Sequence, residues 1–116
     1  MTAETYRARW ISLDGEIVRD DTFEYDVEAH ESANFTRPEA RVGLALDAPY
    51  FDLRELHAHV DGYIETALID RRSFVIVNEE GLLRRMRMAP HLAIFDASAR
   101  YGQVLVGPVV LVERQP

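Results

Sequence analysis

The sequence predicts a single small α+β domain: a mixed, mostly antiparallel sheet with one good helix at about 52–61 and one short helix at about 90–98. Three observations carry this. Asp14-Gly15 is a strong hairpin signal. The stretch after Asp52 has helical spacing between a cap and a glycine. Two later runs, 74–77 and 103–112, are apolar on both faces, as strands covered on both sides are. A chain of 116 residues holds one core, because two would each be too small to stand alone.

Thr5 to Leu13 alternates as a strand does, with Tyr6, Ala8 and Trp10 on one side and Arg7, Arg9 and Ile11 on the other. Glu16 to Arg19 returns antiparallel. The acidic pair Asp20-Asp21 then separates it from a further strand at Thr22 to Val27, which completes an N-terminal hairpin unit over 5–27. Residues 28–50 have no clear period and read as an irregular insert, with a short strand at Arg41 to Leu46.

A core unit follows over about 51–113. Asp52 caps a helix and Glu55, three residues on, completes a capping box. Leu53, Leu56, His57 and Val60 form the buried stripe, and Gly62 supplies the left-handed stop. Tyr63 to Asp70 is a strand, Arg71-Arg72-Ser73 a turn, and Phe74 to Val77 an interior strand. Gly81, at positive φ, turns the chain into a strand at Leu82 to Arg85. Pro90 opens the short helix, with Leu92, Phe95 and Ala99 on one side. Gln103 to Val112 is the last strand, with Pro108 marking a bulge or an edge.

Composition narrows the function classes. With no Cys there is no disulfide, thiolate metal site or thiol nucleophile. No apolar run approaches a membrane span, and the N-terminus has no signal-peptide pattern, so the expected compartment is the cytoplasm. Net charge is −7, with ten acids and four arginines in residues 1–40. That envelope repels phosphate backbones and argues against direct nucleic-acid binding. Every basic residue is Arg, as codon usage in a GC-rich genome produces.

Three motifs recur in order from the helix onward: Val60-Asp61-Gly62-Tyr63-Ile64-Glu65, then Val75-Ile76-Val77-Asn78-Glu79-Glu80-Gly81-Leu82, then Val106-Gly107-Pro108-Val109-Val110-Leu111-Val112. In this order they resemble the domain of unknown function 3846 family, small proteins often encoded by phages, plasmids and their hosts. The resemblance implies a fold and a mobile-element setting; it implies no reaction.

Candidate chemistry is sparse. His57 and His59 sit two apart on a helix, so they point to different sides and do not chelate one ion; His57 reads as a core histidine and His59 as solvated. No serine sits in a nucleophile elbow, and Asp20-Asp21 and Glu79-Glu80 read as solvated turn acids. No catalytic residue, metal site or cofactor is expected. The unusual positions are arginines: Arg71, Arg72, Arg84, Arg85 and Arg87, near Tyr63 and His91, could border a concavity that takes a small anionic ligand. The plainer reading is that they pair with Glu65, Asp70, Glu79, Glu80 and Asp96. The expectation is a non-enzymatic accessory protein of a phage or mobile element, a homo-oligomer that binds a host protein or a small anionic or nucleotide ligand, with a counter-defence role. One alternative is a small enzyme using His57, Glu65 or Asp70. Another is an acidic mimic of DNA built on Asp20, Asp21, Glu24, Asp26, Glu28 and Glu31.

Overall fold

The computed structural model describes residues 3–26, 51–70 and 73–116. The irregular insert, the strand at Arg41 to Leu46 and the Arg71-Arg72 turn lie outside the described residues. Strands β1 (Ala3–Ile11), β2 (Ile17–Asp26), β3 (Ile64–Asp70), β4 (Ser73–Asn78) and β5 (Val109–Arg114) form a sheet of order β2-β1-β5-β4-β3, all pairs antiparallel. Helix α1 (Leu53–Val60) packs on one face and α2 (Leu92–Tyr101) on the other. A parallel bridge between Met88 and Gly107 lies outside these strands.

The hairpin forms where Asp14-Gly15 puts it, with a longer loop than two residues. Ser12 N donates to Glu16 O at 2.8 Å and Gly15 N to Ser12 O at 2.9 Å, enclosing Leu13, Asp14 and Gly15. The two strands expected around Asp20-Asp21 are one continuous β2. The acids do not break it, because arginines neutralise both. Arg7 donates to Asp20 through Nε at 3.0 Å and Nη2 at 2.6 Å, and Arg19 pairs with Asp21 at 2.5 Å.

That fork, helped by the charges of Arg7 and Arg9 and opposed by slight burial, holds the Asp20 carboxyl below the usual carboxylate range. A folded pKa below the unfolded one gives stability that is complete above the unfolded pKa and is lost as pH falls through the folded value. Asp20→Asn is therefore expected to flatten the acid limb of stability below about pH 4. At neutral pH it costs only about 0.5 kcal/mol or less, since both partners are more than a third exposed. Urea midpoints across a pH series read this; an unchanged acid limb would contradict it.

The centre of the sheet is buried on both sides. Phe74, Ile76, Val110 and Val112 join Tyr6, Ala8, Trp10 and Leu56 in the α1-side core. Val75, Val109 and Leu111 join Ile11, Ile69, Ile94, Ala97 and Leu105 on the α2 side. The doubly apolar runs thus become β4 and β5, but β5 begins only at Val109, and Gln103 to Pro108 is an irregular approach to it.

Helix α1 has the expected N-cap: Asp52 Oδ1 accepts from Arg54 N at 2.8 Å. The capping box does not form, because the Glu55 carboxylate accepts from Arg19 instead. Leu56 and Val60 are buried, His57 is half-buried and Leu53 is exposed. The left-handed stop falls on Asp61 (φ 60) rather than Gly62. The histidine roles also differ from expectation. His59 Nε2 lies 2.9 Å from Val109 O and 3.1 Å from Ile11 O, both acceptors, so it carries the proton and pins α1 to the last pairing of β1 and β5. His59 also sits edge-on to Trp10, whose ring is covered by the Arg19 guanidinium 4.8 Å from its centroid.

Helix α2 begins at Leu92, later than Pro90, because His91 caps it, and it runs on to Tyr101. Its buried face is Ile94, Ala97 and Ser98; Leu92, Phe95 and Ala99 face solvent. The buried side is thus turned from the expected one: Ile94, fully buried, is its large apolar residue, and Ala97 and Ser98 complete it. Leu82 to Arg85 is likewise not a strand but part of a turn spanning 79–85.

Candidate functional site

The three sequence motifs converge on one corner, beyond the end of β4. At its centre is Asn78, buried at 5% exposure. Its Nδ2 donates to Val60 O at 2.9 Å and Asp61 O at 3.0 Å, satisfying carbonyls that the end of α1 leaves open. Its Oδ1 accepts from Glu80 N at 2.7 Å, which bends the chain out of β4. Arg84 closes the corner from outside, donating to Asp61 O at 2.6 Å and Asp61 Oδ2 at 2.9 Å.

The motif glycines follow from this crowding. Gly62 has φ +152, and a Cβ there would lie 2.8 Å from Asn78 Nδ2. Gly107 has φ +81, its N–H donates to Arg87 O at 2.8 Å, and a Cβ would meet Met86 Sδ at 2.7 Å. Gly81 does not take the positive φ expected of it; the left-handed residue of the turn is Arg85 (φ 55). The motifs therefore build a junction among α1, β4 and the approach to β5.

The expected arginine group is placed as follows. Arg84 sits beside Gly62 and is paired with Asp61. Arg87 pairs with Asp14 at 2.7 Å, at the β1–β2 turn. Arg85 is exposed. Tyr63 is exposed and edge-on to His57, 5.8 Å between ring centroids. His91 Nδ1 accepts from Ala93 N at 3.0 Å, a helix cap. Arg71 and Arg72 lie outside the described residues. Of the described arginines in the group, Arg84 and Arg87 take Asp61 and Asp14 as partners, and Asp70 and Asp96 pair with Arg100, at 2.5 and 3.0 Å.

His57, Glu65 and Asp70 are kept apart. His57 lies on α1 against Tyr63, Glu65 opens on the α2 side, and Asp70 binds Arg100. Among the described residues no three His, Asp or Glu side chains cluster to hold a metal, and no helix is long and apolar enough to cross a membrane.

Next to the junction, on the α2 side, runs a groove of about 400 Å³. Its floor is Ala67, Val77 and Leu105, and its rims carry Leu82 and Leu83 from the turn and Val104 from the segment after α2. Glu65 and Glu79 supply carboxylates and Tyr101 and Gln103 further polar groups. Sequence reasoning missed this site. The available signal was Leu82-Leu83, an apolar pair directly after a turn glycine, which reads as strand only while a strand is expected there.

Neither a curated protein nor a solved structure matches the chain. A family model does, over residues 34–116. The matched part holds α1, β3, β4, α2 and β5 and the whole junction, while β1 and β2 precede it and extend the same sheet past β5. The chain therefore belongs to the family described as Domain of unknown function (DUF3846).

Proposed function

We propose that this chain is a non-enzymatic accessory protein of a phage or mobile element that works by binding another protein at the groove. The observation that carries this is the pair of rims: Leu82, Leu83 and Val104 are 70%, 86% and 57% exposed around one concavity. Contiguous exposed apolar side chains with a polar surround are what a protein-binding surface has. Its volume falls within the range of ligand clefts, about 300–1,000 Å³.

A small anionic or nucleotide ligand draws less support. Among the described residues no basic one lines the groove, and Arg84 and Arg87 are engaged with carboxylates of the chain itself. The DNA-mimic reading is weakened in the same way, since Asp20 and Asp21 on β2 are each paired with an arginine. Action in the cytoplasm and self-association belong to the proposal as well. Leu92 and Phe95 on the outer face of α2 support self-association, which sedimentation velocity measures directly.

The test is a displayed random-peptide library selected against the chain, beside a thermal-shift panel of cyclic and linear nucleotides. Enriched peptides should lose binding to a Leu83→Ser chain, whose fold is unaffected because Leu83 is exposed. Nucleotides at millimolar concentration should leave the melting temperature unchanged. Stabilisation by a nucleotide with no peptide enriched would overturn the reading.

A further inference from the structure

We infer that the groove recognises a segment that is both cationic and apolar, with one Lys or Arg of the partner held between Glu65 and Glu79. This rests on the protein-binding reading above and specifies the partner's chemistry.

The ladder sets the spacing of the two carboxylates. Glu65 pairs with Val77, and Glu79 N donates to Tyr63 O at 2.9 Å, which carries the β3–β4 register one step further. Glu79 therefore lies two residues past the partner of Glu65, just beyond the end of β4, and both acids line the groove. Diagonal neighbours of this kind are about 7–8 Å apart. Two carboxylates so placed repel one another, and a single ammonium or guanidinium between them reaches both.

Their charge is also uncompensated. Several acids elsewhere are matched: Asp14 with Arg87, Asp61 with Arg84, Asp70 and Asp96 with Arg100, and Glu113 with Arg9 and Arg100. Among the described residues, Glu65 and Glu79 have no ion-pair partner and none of those around the groove is basic. A concave site with apolar walls and one sign of charge focuses its field on an incoming opposite charge.

The walls select more than charge. A lone polyamine would satisfy the carboxylates but leave Leu82, Leu83 and Val104 in water. A peptide carrying apolar side chains next to its cation covers all three.

The rims are held in place beforehand. Arg84 N donates to Glu80 O at 2.8 Å, Arg85 N to Leu82 O at 3.1 Å and Met86 N to Gly81 O at 2.9 Å on one side. On the other, Leu105 N donates to Ser98 Oγ at 3.2 Å. A rim already ordered loses little freedom when it binds.

Three fluorescein-labelled synthetic peptides test this by polarisation, alternating Leu with Lys, with Ser or with Glu. The Lys–Leu peptide should bind tightest, weaken as salt rises, and bind about tenfold or more weakly to the Glu65→Gln/Glu79→Gln chain. Circular dichroism should show that chain folded, since both side chains are exposed. Spermidine should not displace the peptide. Equal binding of the Ser–Leu or Glu–Leu peptide, an unchanged affinity in the double variant, or displacement by spermidine would each overturn the inference. Lys-independent binding that Leu83→Ser abolishes would do so while leaving the groove a protein-binding site. Failure of all three peptides, together with an empty library selection, would remove both.

Discussion

An Asn78→Ala chain should lose about 3 kcal/mol of folding stability, seen as a lower urea midpoint at unchanged slope. The Asn78 side chain serves the end of α1 and the exit from β4 together. Truncation leaves the Val60 carbonyl and the Glu80 N–H without their side-chain partner, at a site where Asn78 itself is 5% exposed, while the Asp61 carbonyl keeps Arg84. Each buried group left unmade costs about 1–3 kcal/mol, part of which entering water recovers. Asn78→Asp separates this from simple packing. Its volume is almost the same, yet the donor becomes a carboxylate oxygen facing two carbonyl oxygens, while the acceptor for Glu80 N is kept. It should be at least as damaging as alanine. A mild Asn78→Asp variant would mean that the side chain fills space and clamps nothing.

Ile76→Ala should cost more, about 4 kcal/mol. Ile76 is fully buried in β4, the strand between β3 and β5, and belongs to the α1-side core with Trp10, Leu56, Phe74 and Val110. The strand cannot collapse into the void, because it is hydrogen-bonded on both sides: Ile76 pairs with Thr66 and with Val110. Val77→Ala, at a half-buried position on the other face, should cost clearly less. Equal losses at the two positions would mean that the α1-side core does not hold Ile76 more tightly than the other face holds Val77.

The parts of the fold legible in the sequence were those in which local pattern and tertiary burial agree. Phe74 to Val77 is apolar without a period because it is covered twice, and Asp52 caps α1 as its residue type suggests. Local signals failed where a distant residue changed their meaning. Asp20-Asp21 reads as a break until Arg7 and Arg19 are placed beside it. Glu55 reads as half of a capping box until Arg19 reaches it. His57 lies on the predicted stripe, yet His59 makes the buried contact, because the carbonyls of Ile11 and Val109 at the end of the β1–β5 pairing present it with two acceptors. On α2 Leu92, Phe95 and Ala99 were assigned inward, whereas the buried face is Ile94, Ala97 and Ser98. The groove was invisible for a related reason. Its lining comes from β3, β4, a turn and the segment after α2, and no local spacing joins Glu65 to Glu79 or Leu83 to Val104.

The most direct measurement is a titration of the isotope-labelled chain with the Lys–Leu peptide, followed by backbone amide chemical shifts. Perturbations should centre on Glu65, Ala67, Glu79, Leu82, Leu83 and Val104, and they should shrink in the Glu65→Gln/Glu79→Gln chain. Shifts centred on Leu92 and Phe95, on β2, or on Arg84 to Arg87 would place binding elsewhere and contradict the groove as the functional site.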